Sequence, residues 1–119
     1  MSYDFMMMKP KVEIRSPNDI DENTLLEQDP DAVIAALSAM LPGLAWRRES
    51  DGRWFASHDG EDTWCEFNIS STPDLVWHIR MSHRTRERSL IASICKALGL
   101  IAFDGQAMAI VSADGERSA

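Results

Sequence analysis

The chain has 119 residues, 19 acidic and 12 basic, for a formal net charge of −7. That length suits one domain, and shares of 45% apolar and 26% charged residues are those of a globular chain that buries a core without disulfides or a structural metal. The acidic balance argues against general nucleic-acid binding, which needs clustered cations, and no stretch approaches the roughly 18 apolar residues of a membrane span.

SYDFMMMK (2–9) alternates as a first strand, with Tyr3, Phe5 and Met7 on one side. Pro10 stops it or sets it at an edge, and KVEIR (11–15) extends it after a bend. Residues 16–31 carry six acids, at 19, 21, 22, 27, 29 and 31, and no base. They read as a solvated connection, tacked to the core by Ile20, Leu25 and Leu26. The first helix is then signalled by Asp29 as N-cap, Pro30 at the first helical position and Asp31 against the helix dipole. Val33, Ile34, Leu37, Met40 and Leu41 give it one buried face, and Pro42-Gly43 ends it.

Four strand signals follow. LAWRRE (44–49) and RWFASH (53–58) flank the hairpin turn Ser50-Asp51-Gly52. TWCEFNI (63–69) and LVWHIRMS (75–82) flank a longer turn at 70–74. Thr85 to Leu98 is the second helix, with Leu90, Ile91, Ile94, Cys95 and Leu98 on its apolar face and Gly99 closing it. IAFD (101–104) and AMAIV (107–111) form a last hairpin around Gly105-Gln106. The expected organisation is a single α+β domain over 1–111 and a polar, flexible tail over 112–119. In order β-α-β-β-β-β-α-β-β, the fold predicted is a two-layer sandwich: a mainly antiparallel meander sheet with two helices on one face.

Strand alternation predicts which side chains face out. Cys65, Phe67 and Ile69 on one strand, and Leu75, Trp77, Ile79 and Met81 on the next, face the helices. A five-residue turn at 70–74 pairs Glu66 with His78 and Trp64 with Arg80 on the opposite face. If Phe55 pairs with Cys65 inside, Trp54 joins that outer face beside Glu66. The turn at 50–52 then sets Arg48 beside Trp54, with Trp46 following. The expected outer face carries Trp46, Arg48, Trp54, Trp64, Glu66, His78 and Arg80, an aromatic and arginine mixture typical of protein-binding hot spots. Tryptophan also suits strands without any partner, and both readings stay open here. Asp19, Asp21 and Glu22 of the acidic connection are a second candidate contact surface for a basic partner.

The stretch WHIRMSHRTRER (77–88) divides at Ser82. His78 and Arg80 belong to the strand's outer face, whereas Arg84, Arg86 and Arg88 splay around the helix start. Those three are either solvated or a weak anion site. His58 opens HDGED (58–62), which matches a turn better than any calcium loop. No zinc spacing exists among His58, His78, His83, Cys65 and Cys95, so no metal and no cofactor are expected. Both cysteines fall on apolar faces, where a thiol stays protonated, so a reducing cytoplasm with two free thiols is the simplest setting. No catalytic residue is assigned, since the chain lacks G-x-S-x-G, P-loop and GxGxxG motifs.

MSYDFMMMKPK and CKALGLIAFDGQ carry a resemblance. They resemble the ends of small, mostly uncharacterised bacterial proteins that begin M-x-Y-D, several of which are similar to immunity proteins of polymorphic toxin systems. The usual D-P-Q turn is here Asp104-Gly105-Gln106, and the first strand is methionine-rich rather than aromatic. The resemblance implies a non-enzymatic protein-binding domain that occludes a partner such as a toxin, through the acidic segment, the aromatic face or both. The alternatives are a small-ligand or catalytic domain using Glu66, His78 and Arg80, and a homodimer through the tryptophan face in place of a monomer. Neither membrane nor general nucleic-acid binding is expected.

Overall fold

The computed structural model describes residues 2–59, 64–82, 88–106, 108–112 and 115–118, and over these the chain is a mostly antiparallel sheet with two helices. The strands are β1 (Ser2–Pro10), β2 (Leu25–Leu26), β3 (Arg47–Arg48), β4 (Trp54–Asp59), β5 (Trp64–Ile69), β6 (Val76–Ser82), β7 (Ile101–Asp104), β8 (Ala109–Ser112) and β9 (Gly115–Ser118). The helices are α1 (Pro30–Met40) and α2 (Arg88–Leu98), with a 3-10 turn over Pro17–Asp19. Sheet order is β3-β4-β5-β6-β1-β7-β8-β9, and β2 hangs from the end of β1.

Three features depart from the expected order. β1 lies between β6 and β7, so the sheet is not one continuous meander. KVEIR forms no strand; β2 takes the remaining edge at Lys9 and Pro10 instead. The stretch expected to be a polar tail contains β9, which pairs with β8 from Ser112–Gly115 to Ala109–Ser118.

Both helices serve one core. Asp29 accepts the Asp31 N–H at 3.1 Å, and Pro30 starts α1 as its missing N–H allows. Val33 and Leu37 then point at the sheet, where they cluster with Phe5, Met7, Phe67, Ile79 and Met81. From α2, Ile91, Ile94 and Cys95 join the same cluster. Each such side chain contributes roughly 1.5–3 kcal/mol by leaving water. Gly99 ends α2 with φ +68°, a left-handed value that glycine adopts without strain, and the Leu100 N–H reaches back to the Cys95 carbonyl at 2.9 Å.

The other sheet face is not bare, as a simple two-layer arrangement would leave it. Met8, Ile101 and Ile110 form a second cluster there with Ile14 and Leu25, and Ile20 packs against it. Residues 11–26 therefore strap the acidic connection across β1, β7 and β8. Ile20 and Leu25 tack it down as expected, while Leu26 stays 40% exposed.

The acids of the strap largely build it. Asp19 Oδ2 accepts the Arg15 N–H at 3.0 Å and the Ser16 N–H at 3.3 Å, and Ser16 Oγ accepts from Asn18 N–H at 3.3 Å. Asp21 Oδ1 accepts the N–H groups of Asn23 at 2.7 Å and Thr24 at 3.1 Å. These are capping-box and Asx-turn bonds. Glu22 is exposed.

Candidate functional site

The strap leaves part of the outer face open, and strand register arranges what remains in rows. One row runs Ser57–Glu66–Arg80–Asp4 across β4, β5, β6 and β1. The next runs Arg47–Phe55–Asn68–His78–Met6–Phe103 across β3 to β7. The row after that, Val76–Met8–Ile101, belongs to the covered cluster. Polarity thus falls in steps from a charged row through a mixed row to an apolar, sealed one.

The middle of these two rows, Glu66, Arg80 and Asp4 beside Phe55, Asn68, His78 and Met6, lines an open trough of about 610 Å³ together with Gly105 of the turn after β7. Arg80 Nε meets Asp4 Oδ1 at 3.4 Å. Glu66 Oε2 meets the Arg47 guanidinium at 3.7 Å. The same guanidinium lies 5.7 Å from the Phe55 ring centre and gives Glu49 Oε1 a hydrogen bond of 3.0 Å. Burial lowers the His78 pKa below the ordinary histidine value and Arg53 lowers it further, against smaller opposing effects of Asp4 and Asp74. The imidazole is therefore neutral at pH 7. Two polar atoms beside the trough, Asn68 Oδ1 and Arg53 Nε, are buried with no hydrogen-bond partner among the described residues.

Glu66, His78 and Arg80 are brought together as expected, but with different partners. Glu66 faces Arg80 and His78 faces Asn68. The register is displaced by two residues, which keeps every side chain on its expected face. Asp74 explains the displacement: its backbone pairs with Gln28 and its carboxylate takes the Ser70 hydroxyl at 3.1 Å, which widens the turn.

The tryptophan face needs correction. Trp54 pairs with Ile69, not beside Glu66, and packs against the main core under the helices. Trp46 goes the same way; its indole N–H donates to Ser38 Oγ of α1 at 2.9 Å, and its ring lies 6.3 Å from Phe67. The expected Arg48–Trp54 neighbours do meet, at 5.3 Å, on the helix side. Trp64 keeps the outer-face parity of Glu66 and is half-buried. The sequence signal for this arrangement lies in β4 itself. That signal is small: Ser57 and Asp59 share the parity of Phe55, whereas Ala56 and His58 share that of Trp54, so the Asp59 carboxylate favours Trp54 inside and pairing with β5 settles the face. Phe55 is the site residue that the outer-face prediction missed, together with Asp4 and Met6, while Asn68 takes the outer-face parity that strand alternation gives it.

Other candidates are dispersed. Arg84 and Arg86 lie outside the described residues, as do His83 and Gly60 to Asp62 of HDGED, and Arg88 is described only as the first residue of α2. Cys65 and Cys95 are free and buried, and burial pushes their thiols up to about 11 and about 12. Among the described residues no group of three or more His, Cys, Asp or Glu could hold a metal ion, and no helix is long and apolar enough to cross a membrane. No protein family, curated protein or solved structure matches the chain.

Proposed function

We propose that the chain is a non-enzymatic protein-binding domain of the immunity-like kind, which occludes a basic surface of its partner with the open rows of its outer sheet face. One observation carries the reading: a charged row and a mixed aromatic, amide and thioether row lie side by side, with no described residue over them, on strands backed by the main core. A rigid surface that mixes charge with apolar area suits docking, because little freedom is lost on binding. The net charge of −7 steers a basic partner towards it. The chain ends, which resemble those of immunity proteins, agree with the reading. Both cysteines are unfit as nucleophiles, since their thiols stay protonated at neutral pH.

The trough's volume favours a second reading. About 610 Å³ falls in the range of small-molecule sites, so Glu66, His78 and Arg80 also suit a small polar ligand. Affinity capture from an extract of the source organism separates the two, run with the wild type and the Glu66→Ala, Phe55→Ala and Asp21→Ala variants. The proposal expects one protein, identified by mass spectrometry, to be retained by Asp21→Ala and lost by the two trough variants. A partner held equally by all four chains sinks it.

A further inference from the structure

We propose that Arg80 is a placeholder: between Glu66 and Asp4 it occupies the position that an arginine or lysine side chain of a basic partner takes in the complex, and it moves aside when that side chain enters. The inference rests on the docking surface proposed above and adds the chemistry of its central contact.

The charged row sets the arrangement. Arg80 stands on β6 with a carboxylate on each neighbouring strand, Glu66 on β5 and Asp4 on β1. Its described ion pair is a single contact, Nε to Asp4 Oδ1 at 3.4 Å, between side chains 57% and 58% exposed. A pair so long and so open contributes little and is easily exchanged. Glu66 is more enclosed, at 24%, and its ion pair among the described residues is with the tip of Arg47 at 3.7 Å. Arg47 is committed elsewhere, to Glu49 and the Phe55 ring. Each carboxylate can accept several hydrogen bonds, so both keep capacity for another donor.

The surroundings select the sign of the visitor. Asp4 and Glu66 face Arg80 in the lining, Arg47 at its edge is held by Glu49 and Phe55, Arg53 lies beside it, and His78 is neutral, so the sign of the visitor is set by the two incompletely paired carboxylates. The whole chain adds its negative field. Phe55 supplies an aromatic wall of the kind on which a guanidinium stacks, as Arg47 already does. A partner arginine thus meets two carboxylates and a ring, at the cost of releasing a weak internal pair.

The role predicts an inverted mutational response. If Arg80 contacts an acidic partner, removing it weakens binding; if it holds the place of a cation, removing it strengthens binding. The test is an NMR titration of the isotope-labelled full chain, at low salt, with a capped peptide carrying one arginine between glycines. A matched glutamate peptide is the control. The proposal expects amide shifts in the trough rows, with the dissociation constant falling about threefold or more in Arg80→Met and rising about as much in Glu66→Gln and Asp4→Asn. Arg80→Gln gives a second reading should Arg80→Met fold poorly.

It is overturned by unchanged or weaker arginine-peptide binding in both Arg80 variants, by stronger shifts with the glutamate peptide, or by a wild-type dimer that Glu66→Gln dissociates, which would make the occupant a second copy. Absence of arginine-peptide binding alongside Glu66-dependent capture of a protein partner removes the placeholder and leaves the docking surface standing. Capture indifferent to Glu66 removes the docking surface itself.

Discussion

The indole N–H of Trp77 donates to Gln28 Oε1 at 2.8 Å, across 49 positions of sequence. The same amide returns its Nε2 to the carbonyls of Met7 at 3.1 Å and Leu75 at 3.4 Å. Gln28 is 7% exposed and Trp77 is 3% exposed. One side chain therefore pins the end of the strap to β1 and to the approach of β6, and satisfies a buried indole that the main core alone would leave unpaired.

Removing that amide is costly because it orphans the buried indole. Gln28→Leu is expected to lower the unfolding free energy by about 1–3 kcal/mol, since Trp77 Nε1 loses its acceptor while still buried. Urea unfolding followed by tryptophan fluorescence reads this. The paired variant Gln28→Leu with Trp77→Phe should recover part of the loss, because the orphaned donor goes with the indole.

His78 gives the trough a pH response. Its folded pKa lies below the ordinary 6.5, with burial the main cause and Arg53 the second. As pH falls through 6.5 the unfolded chain takes up the proton before the folded one does, so unfolding free energy declines on acidification. The contribution is complete above 6.5 and is lost below it, down through the folded value. The wild type should lose more stability between pH 7.5 and pH 5.5 than His78→Gln does. Equal slopes in urea midpoints for the two chains would refute this.

The thiols are expected to be silent in the folded state. Burial raises the Cys65 thiol pKa to about 11 and that of Cys95 to about 12, so little thiolate exists at pH 8 and reagent cannot reach it. A chromogenic disulfide reagent should label neither cysteine in the native protein over an hour and both in denaturant. Rapid native labelling of Cys65 would contradict its packing in the sheet.

Strand register can be tested by overpacking. Ala56 is 1% exposed and lies opposite Phe67 on the helix side, whereas Ser57 is exposed beside Glu66. Ala56→Leu should destabilise by about 1–3 kcal/mol, and Ser57→Leu by less than about 0.5 kcal/mol. The register with Phe55 inside would exchange the two results, so thermal unfolding of the pair decides between them.

Local signals were legible where local chemistry decides the outcome. Asp29-Pro30, the buried stripe of α1, Ser50-Asp51-Gly52 and Gly99 each specify their geometry through neighbours a few residues away. The alternation of β5 and β6 likewise placed Glu66, His78 and Arg80 on one face. What sequence alone missed depends on long-range pairing. β4 carries aromatics on both parities, so its face is settled by which strand position Cys65 meets, and it meets His58. The Glu66 partner turned on Asp74 being drawn to Gln28, a contact no pattern in residues 63–82 announces. The acidic strap looked solvated because acids outnumber its apolar residues, yet Ile14, Ile20 and Leu25 suffice to hold it, and its acids cap its own turns.

The central place of β1 has a consequence for how the molecule is made. β1 is flanked by two strands that follow it far along the chain: Asp4 finds Arg80 only 76 positions on, and β7 follows beyond α2. During synthesis its Phe5, Met7 and Met8 leave the ribosome with no sheet to join. The meander of β3 to β6 can assemble meanwhile, but its β6 edge stays open until β1 returns to it. Closure of the sheet is therefore a late, long-range event, which slows folding relative to a meander of the same size.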